Sequence, residues 1–131
     1  MSITEGITKT RRITVDEART IDFMGEENRV YATPEVVRDV EYTCRDLLVE
    51  NLEPGMDTVG VRVELDHIAA TPLGMWVDVE VTVSKLDGRM VTLTVECRDE
   101  LETVARDKHN RFIVDVQKTA ARLAQKRARL E

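Results

Sequence analysis

Three residues of this 131-residue chain have side chains and settings suited to proton transfer or nucleophilic attack: Thr33, Glu41 and His67. Glu41 follows Val37 by four residues and precedes Cys44 by three, which puts it at the border of an apolar stripe and not on the charged face. A carboxylate at such a border loses part of its hydration, which suits it to act as a base or a nucleophile. His67 continues the parity of Val59, Val61, Val63 and Leu65, so it is expected on the core side at a strand's end, where an imidazole transfers protons near neutral pH. Thr33 stands directly before Pro34 and Glu35, at the start of a helix. Each residue also has an ordinary structural reading: a glutamate with its head in solvent, a hydrogen-bonded core histidine, and a helix cap. None of the three points to chemistry by itself.

Other arrangements are missing from the sequence. It has no Gly-x-Ser-x-Gly elbow and no Gly-rich phosphate loop. His67 and His109 fall on different expected strands with no cysteine or carboxylate at ligand spacing, so neither a metal nor a cofactor is expected. Cys44 and Cys97 lie inside regular elements and read as small buried hydrophobes.

The elements that must position these residues follow from periodicity. Residues 7–15 are rich in Ile, Thr and Val and read as a strand, and the polar stretch from 19 to 30 reads as a loop or short lid. Thr33 as N-cap, Pro34 at the first helical position and Glu35 at the positive end of the dipole predict a helix start. Val36, Val37, Val40, Cys44, Leu47 and Leu48 form its apolar stripe, opposite Arg38, Asp39, Tyr42, Arg45 and Asp46, and the helix stops near Pro54-Gly55.

The period then changes to two. Val59 to Leu65 predicts a half-buried strand with the odd positions inward, Val77 to Val83 a second, and Val91 to Cys97 a third after a hairpin at Asp87-Gly88. A fourth runs from about Thr103 to Val116, and a terminal helix follows. One long helix with four consecutive strands as an antiparallel meander is an α+β arrangement in a single domain, 1–131. Its edge strands need cover, for which pairing of two copies is one solution.

Composition bounds the partners. The formal net charge is −6, with 42% hydrophobic and 34% charged residues, so no global basic field for nucleic acid exists. No run reaches the roughly 20 apolar residues of a membrane span, and the first residues lack the apolar stretch of a signal peptide, so a cytoplasmic location is expected. Lys118, Arg122, Lys126, Arg127 and Arg129 make a basic terminal helix without interleaved aromatics, read as a solvated face whose cations could attract phosphates.

Several short runs, taken together, resemble the fluoroacetyl-CoA thioesterase family of hot-dog proteins. They are Tyr31-Ala-Thr-Pro, a glutamate eight residues after the Thr, Gly60 within Val-Gly-Val-Arg-Val, Asp66-His-Ile-Ala-Ala-Thr-Pro-Leu-Gly-Met75, and His109-Asn-Arg111. The resemblance implies a homodimeric hot-dog fold hydrolysing an acyl-CoA, with the active sites at the dimer interface. It implies Thr33, Glu41 and His67 as catalytic residues, and Gly60 and Arg111 as contacts to the substrate. The family's fluoroacetate-resistance enzyme carries phenylalanines before the threonine, where Met24 and Glu27 stand here. An acidic residue gives no dry cover, so the acyl group expected is another short or polar one. The competing reading is a hot-dog dimer that binds acyl-CoA without turning it over.

Overall fold

The computed structural model describes residues 2–130. Strand β1 (Thr8–Thr14) leads through two 3-10 turns, Glu17–Arg19 and Glu26–Asn28, into helix α1 (Thr33–Val49). Strands β2 (Met56–His67), β3 (Trp76–Asp87), β4 (Met90–Asp99) and β5 (Thr103–Asp115) follow, and helix α2 (Val116–Ala128) ends the chain. The strands form one antiparallel sheet in the order β1-β3-β4-β5-β2, with α1 packed on one face. The alternating valines of β3 and the Val91, Leu93, Val95 and Cys97 row of β4 are buried against Val36, Val40, Cys44, Leu47 and Leu48 of α1. Both cysteines are buried and unbridged, and burial pushes the Cys97 thiol up to about 12. Helix α2 has no buried residue, and Asp115 caps it by accepting the Lys118 N–H at 3.1 Å.

The meander expected from consecutive strands holds only for β3, β4 and β5. Strand β2 pairs with β5 at the far edge, and β1 takes the other edge beside β3. The segment from 68 to 75 carries the chain across the strand ends, and its hydrogen bonds mark the route. Ile68 and Ala69 donate to the Val104 carbonyl at 2.8 and 3.2 Å, the Thr71 hydroxyl donates to Asp99 at 2.9 Å, and Gly74 donates to Val15 at 2.8 Å. Alternation within a strand marks a buried face but says nothing about which strand lies beside it.

The inward set of β2 also differs from the expectation. The register shifts between Gly60 and Arg62, a β-bulge that inserts one residue and exchanges the two faces. Before it, Thr58 and Gly60 face α1; after it, Val63, Leu65 and His67 do, opposite His109, Asp107 and Ala105 of β5. Val59 and Val61 therefore leave the inward set and are 46% and 54% exposed, and even Val63 is 40% exposed. His67 keeps its expected side because the bulge restores parity beyond it.

Asp39, on the charged side of α1 by helical phase, is 7% exposed. It accepts from the Tyr31 hydroxyl and from both Nε and an Nη of Arg19, at 2.8 and 3.1 Å. Arg19 also holds Asp16 at 2.9 Å, so this cluster anchors residues 16 to 32 on the helix. Replacing Asp39 by Ala strands a buried phenol and a guanidinium, and should cost about 3 kcal/mol in chemical denaturation.

Candidate active site

Thr33 opens α1, but its side chain does not cap the helix. Ala32 occupies the cap position, with extended backbone and no side-chain bond. The Thr33 hydroxyl lies instead 2.7 Å from His67 Nδ1, across from the end of β2. Pro34 has no N–H and Glu35 already donates to the Ala32 carbonyl at 2.9 Å, so at this helix start the Thr33 amide is the donor left for a ligand. Burial holds the His67 pKa below its ordinary value, which keeps the ring neutral at physiological pH. A neutral ring that accepts at Nδ1 polarises the Thr33 hydroxyl and carries its proton on Nε2, a buried atom with no protein partner. Tyr31, 1% exposed, meets the His67 ring edge-on at 6.3 Å and is itself held by Asp39, so the Asp39 cluster also orients the imidazole.

The cleft at this pair is about 330 Å³ and is apolar, with Ile21, Phe23, Val30, Ile68, Ala69 and Ala70 around Thr33 and His67. Phe23, an isolated aromatic in an irregular stretch, carries no periodic signal in the sequence that would place it at the cleft. Met24 and Glu27, the positions singled out there, do not line the cleft. The wall is thus apolar on the side where an acidic residue was expected to face the acyl group.

Glu41 stands elsewhere. It lies eight residues further along α1, about 12 Å of helix rise from Thr33. It lines a second groove, of about 550 Å³, with Val37, Arg38, Tyr42, Arg45 and Arg111. Its Oε2 accepts from Arg111 at 3.2 Å. Gly60 lies directly beneath: a Cβ there would sit 2.7 Å from that oxygen, so the missing side chain makes the carboxylate's seat. Arg111 is 4% exposed, and its other donors go to the Thr58 hydroxyl (2.8 Å), the Thr58 carbonyl (2.9 Å) and His109 Nε2 (3.2 Å). One protomer therefore joins Thr33 to His67, and Gly60 and Arg111 to Glu41, as two separate groups. Among the described residues no cluster of three or more His, Cys, Asp or Glu is arranged to hold a metal ion, and no helix is long and apolar enough to cross a membrane.

The relatives of this chain share one fold, and those described by an activity or superfamily are thioesterases. The family model described as fluoroacetyl-CoA-specific thioesterase matches residues 15–117. The fluoroacetyl-CoA thioesterase of Streptantibioticus cattleyicolor is 30% identical over 97 residues, covering 74% of this chain and 70% of that one. A solved structure of fluoroacetyl-CoA thioesterase superposes with a TM-score of 0.86 at 26% identity, covering 96% of this chain and 98% of the other. A thioesterase-superfamily protein of Thermus thermophilus superposes at 0.85 with 28% identity, covering 98% of each chain. A hot-dog-like protein of Thermanaerovibrio acidaminovorans, 23% identical, shares the fold at 0.86, covering 93% of this chain and 91% of that one.

Proposed function

The chain belongs to the fluoroacetyl-CoA-specific thioesterase family and has its hot-dog fold, and from that premise we propose that it hydrolyses a short acyl-CoA to the free acid and coenzyme A. The observation that carries the reading to this chain's own residues is the Thr33–His67 hydrogen bond at a helix N-terminus, inside an apolar cleft. The cleft's lining favours a short apolar acyl group over a polar one.

In the proposed mechanism the thioester carbonyl lies against the Thr33 amide, which stabilises the developing oxyanion. Glu41 either takes the proton of a water that attacks the carbonyl carbon, or attacks it directly to give an acyl-glutamyl anhydride that water then hydrolyses to the free acid; in both the C–S bond breaks, and the thiolate leaves with a proton delivered through His67. Thr33 orients the reacting group.

This scheme needs Glu41 beside Thr33 and His67, and a separation of about 12 Å along one helix forbids that within a protomer. A homodimer paired through the edge strand β2 would bring them together. If two β2 edges pair antiparallel about a twofold at Glu64, with Val61 as the extra residue of the bulge, His67 of one protomer comes opposite the partner's Gly60. The partner's Glu41 sits over that glycine, and each site then draws on both chains. The exposed Val59, Val61 and Val63 support such an interface. Arg38, on the rim of the Glu41 groove, suits the coenzyme's phosphates.

The test is release of free thiol from a panel of acetyl-, propionyl-, butyryl-, malonyl- and fluoroacetyl-CoA. Selective turnover of a short apolar member is expected. Acyl-CoA binding without hydrolysis of any member would instead make this a binding protein.

A further inference from the structure

Three successive inward positions of β5 hold ionisable side chains. Asp107, His109 and Arg111 are 6%, 0% and 4% exposed, a costly row for a core. Arg111 is satisfied by Thr58 and Glu41. The other two leave one atom each unsatisfied: His109 Nδ1 and Asp107 Oδ2 are buried without a hydrogen-bond partner, and they lie 3.7 Å apart, facing one another. Val63 of β2 and Leu93 of β4 flank His109 in the sheet. The ionisable groups that face it are Asp107 and Arg111 on its own strand and Glu41 on α1, while Asp107 is faced in turn by Glu41 and Cys44 on α1, Glu64 on β2 and Cys97 on β4.

Proton bookkeeping fixes the state of the ring. A guanidinium has donors only, so the 3.2 Å contact between Arg111 and His109 Nε2 requires a lone pair on Nε2. A neutral ring then carries its proton on Nδ1, aimed at Asp107. Burial and the neighbouring guanidinium push the His109 pKa down to about 4, which keeps the ring neutral at working pH, while burial pushes Asp107 up to about 6. Protonating Nε2 would set an N–H against the Arg111 N–H and break the contact.

We propose that His109 is a positioning residue of the site: as the Nδ1–H tautomer, backed by Asp107, it accepts an N–H of Arg111 and holds the guanidinium that seats the Glu41 carboxylate over Gly60. The proposal rests on the reading of Glu41 as the reacting carboxylate. Asp107, His109, Arg111 and Glu41 form one line of contacts from the core to the groove, and the first two act only through the last two.

Two measurements decide it. Imidazole nitrogen NMR of the full-length wild-type protein, with His67→Ala assigning the two histidines, should show His109 as the Nδ1–H tautomer with no titration above pH 5. An Nε2–H tautomer, or titration near the ordinary histidine value, overturns the proposal even where a variant fails to fold. In kinetics, His109→Leu keeps bulk but no acceptor and should lower kcat about tenfold with KM little changed. His109→Gln, whose Oε1 falls near the place of Nε2, should recover most of that loss. Equal losses in both variants, or losses in KM alone, overturn it. A fully active Glu41→Gln removes instead the reading on which the proposal rests, so the two failures are distinguishable.

Discussion

Glu41→Gln should lower kcat on the best acyl-CoA by about a hundred- to ten-thousandfold, with KM and melting temperature nearly unchanged. The loss is large because the amide can neither take a proton from water nor attack the carbonyl, while the rest of the site survives. Glutamine is isosteric, and its carbonyl oxygen can still accept from Arg111 where Oε2 does at 3.2 Å. The side chain is 40% exposed, so no buried charge is stranded by the change. What activity remains would come from the Thr33 amide and from binding. Steady-state thiol release with circular dichroism separates this outcome from unfolding. Full hydrolysis by the variant would rule Glu41 out as base and nucleophile alike.

His67→Ala should be comparably disabling alone, and informative when mixed. It removes the partner of the Thr33 hydroxyl and the group that hands a proton to the leaving thiolate. In the proposed dimer each site takes His67 from one chain and Glu41 from the other. Unfolding and refolding an equal mixture of His67→Ala and Glu41→Gln would then create heterodimers with one intact site each, restoring about a quarter of wild-type activity. A mixture as dead as its components would place all three residues in one chain's site or exclude a shared one. The pH dependence has a definite sign too. The reaction uses neutral His67, whose pKa burial holds below the ordinary value of 6.5. Wild-type kcat/KM should therefore stay level as pH falls to 6.5 and drop only below it. A limb centred at or above 6.5 would contradict the neutral ring.

Much of the positioning was legible in the chain itself, since the signals are local. Pro34 marks the start of α1, which ends at Val49, short of the Pro54-Gly55 breaker expected to stop it, and the valines of β3 and β4 read inward because nothing interrupts their period of two. Thr33, Glu41 and His67 were legible as candidates from their places on those elements, but their grouping was not. Thr33 looks like a cap in sequence; only the approach of β2 to the helix start turns its hydroxyl to His67.

The remaining differences share a cause. Asp39 reads as a surface residue by helical phase, yet Arg19 and Tyr31, distant in sequence, give it partners that make burial tolerable. Phe23 has no periodic context, so only the path of the loop shows that it lines the cleft. Val59 and Val61 read as core because alternation carries no mark of a one-residue bulge, and β2 read as the meander's first strand because pairing is a long-range choice. The sequence by itself determined where the helices and strands fall, because turn chemistry and hydrophobic period act within a few residues. The tertiary structure decided the strand order, the edge that β2 presents and the separation of Glu41 from Thr33 and His67, because those depend on contacts between segments that no local pattern encodes.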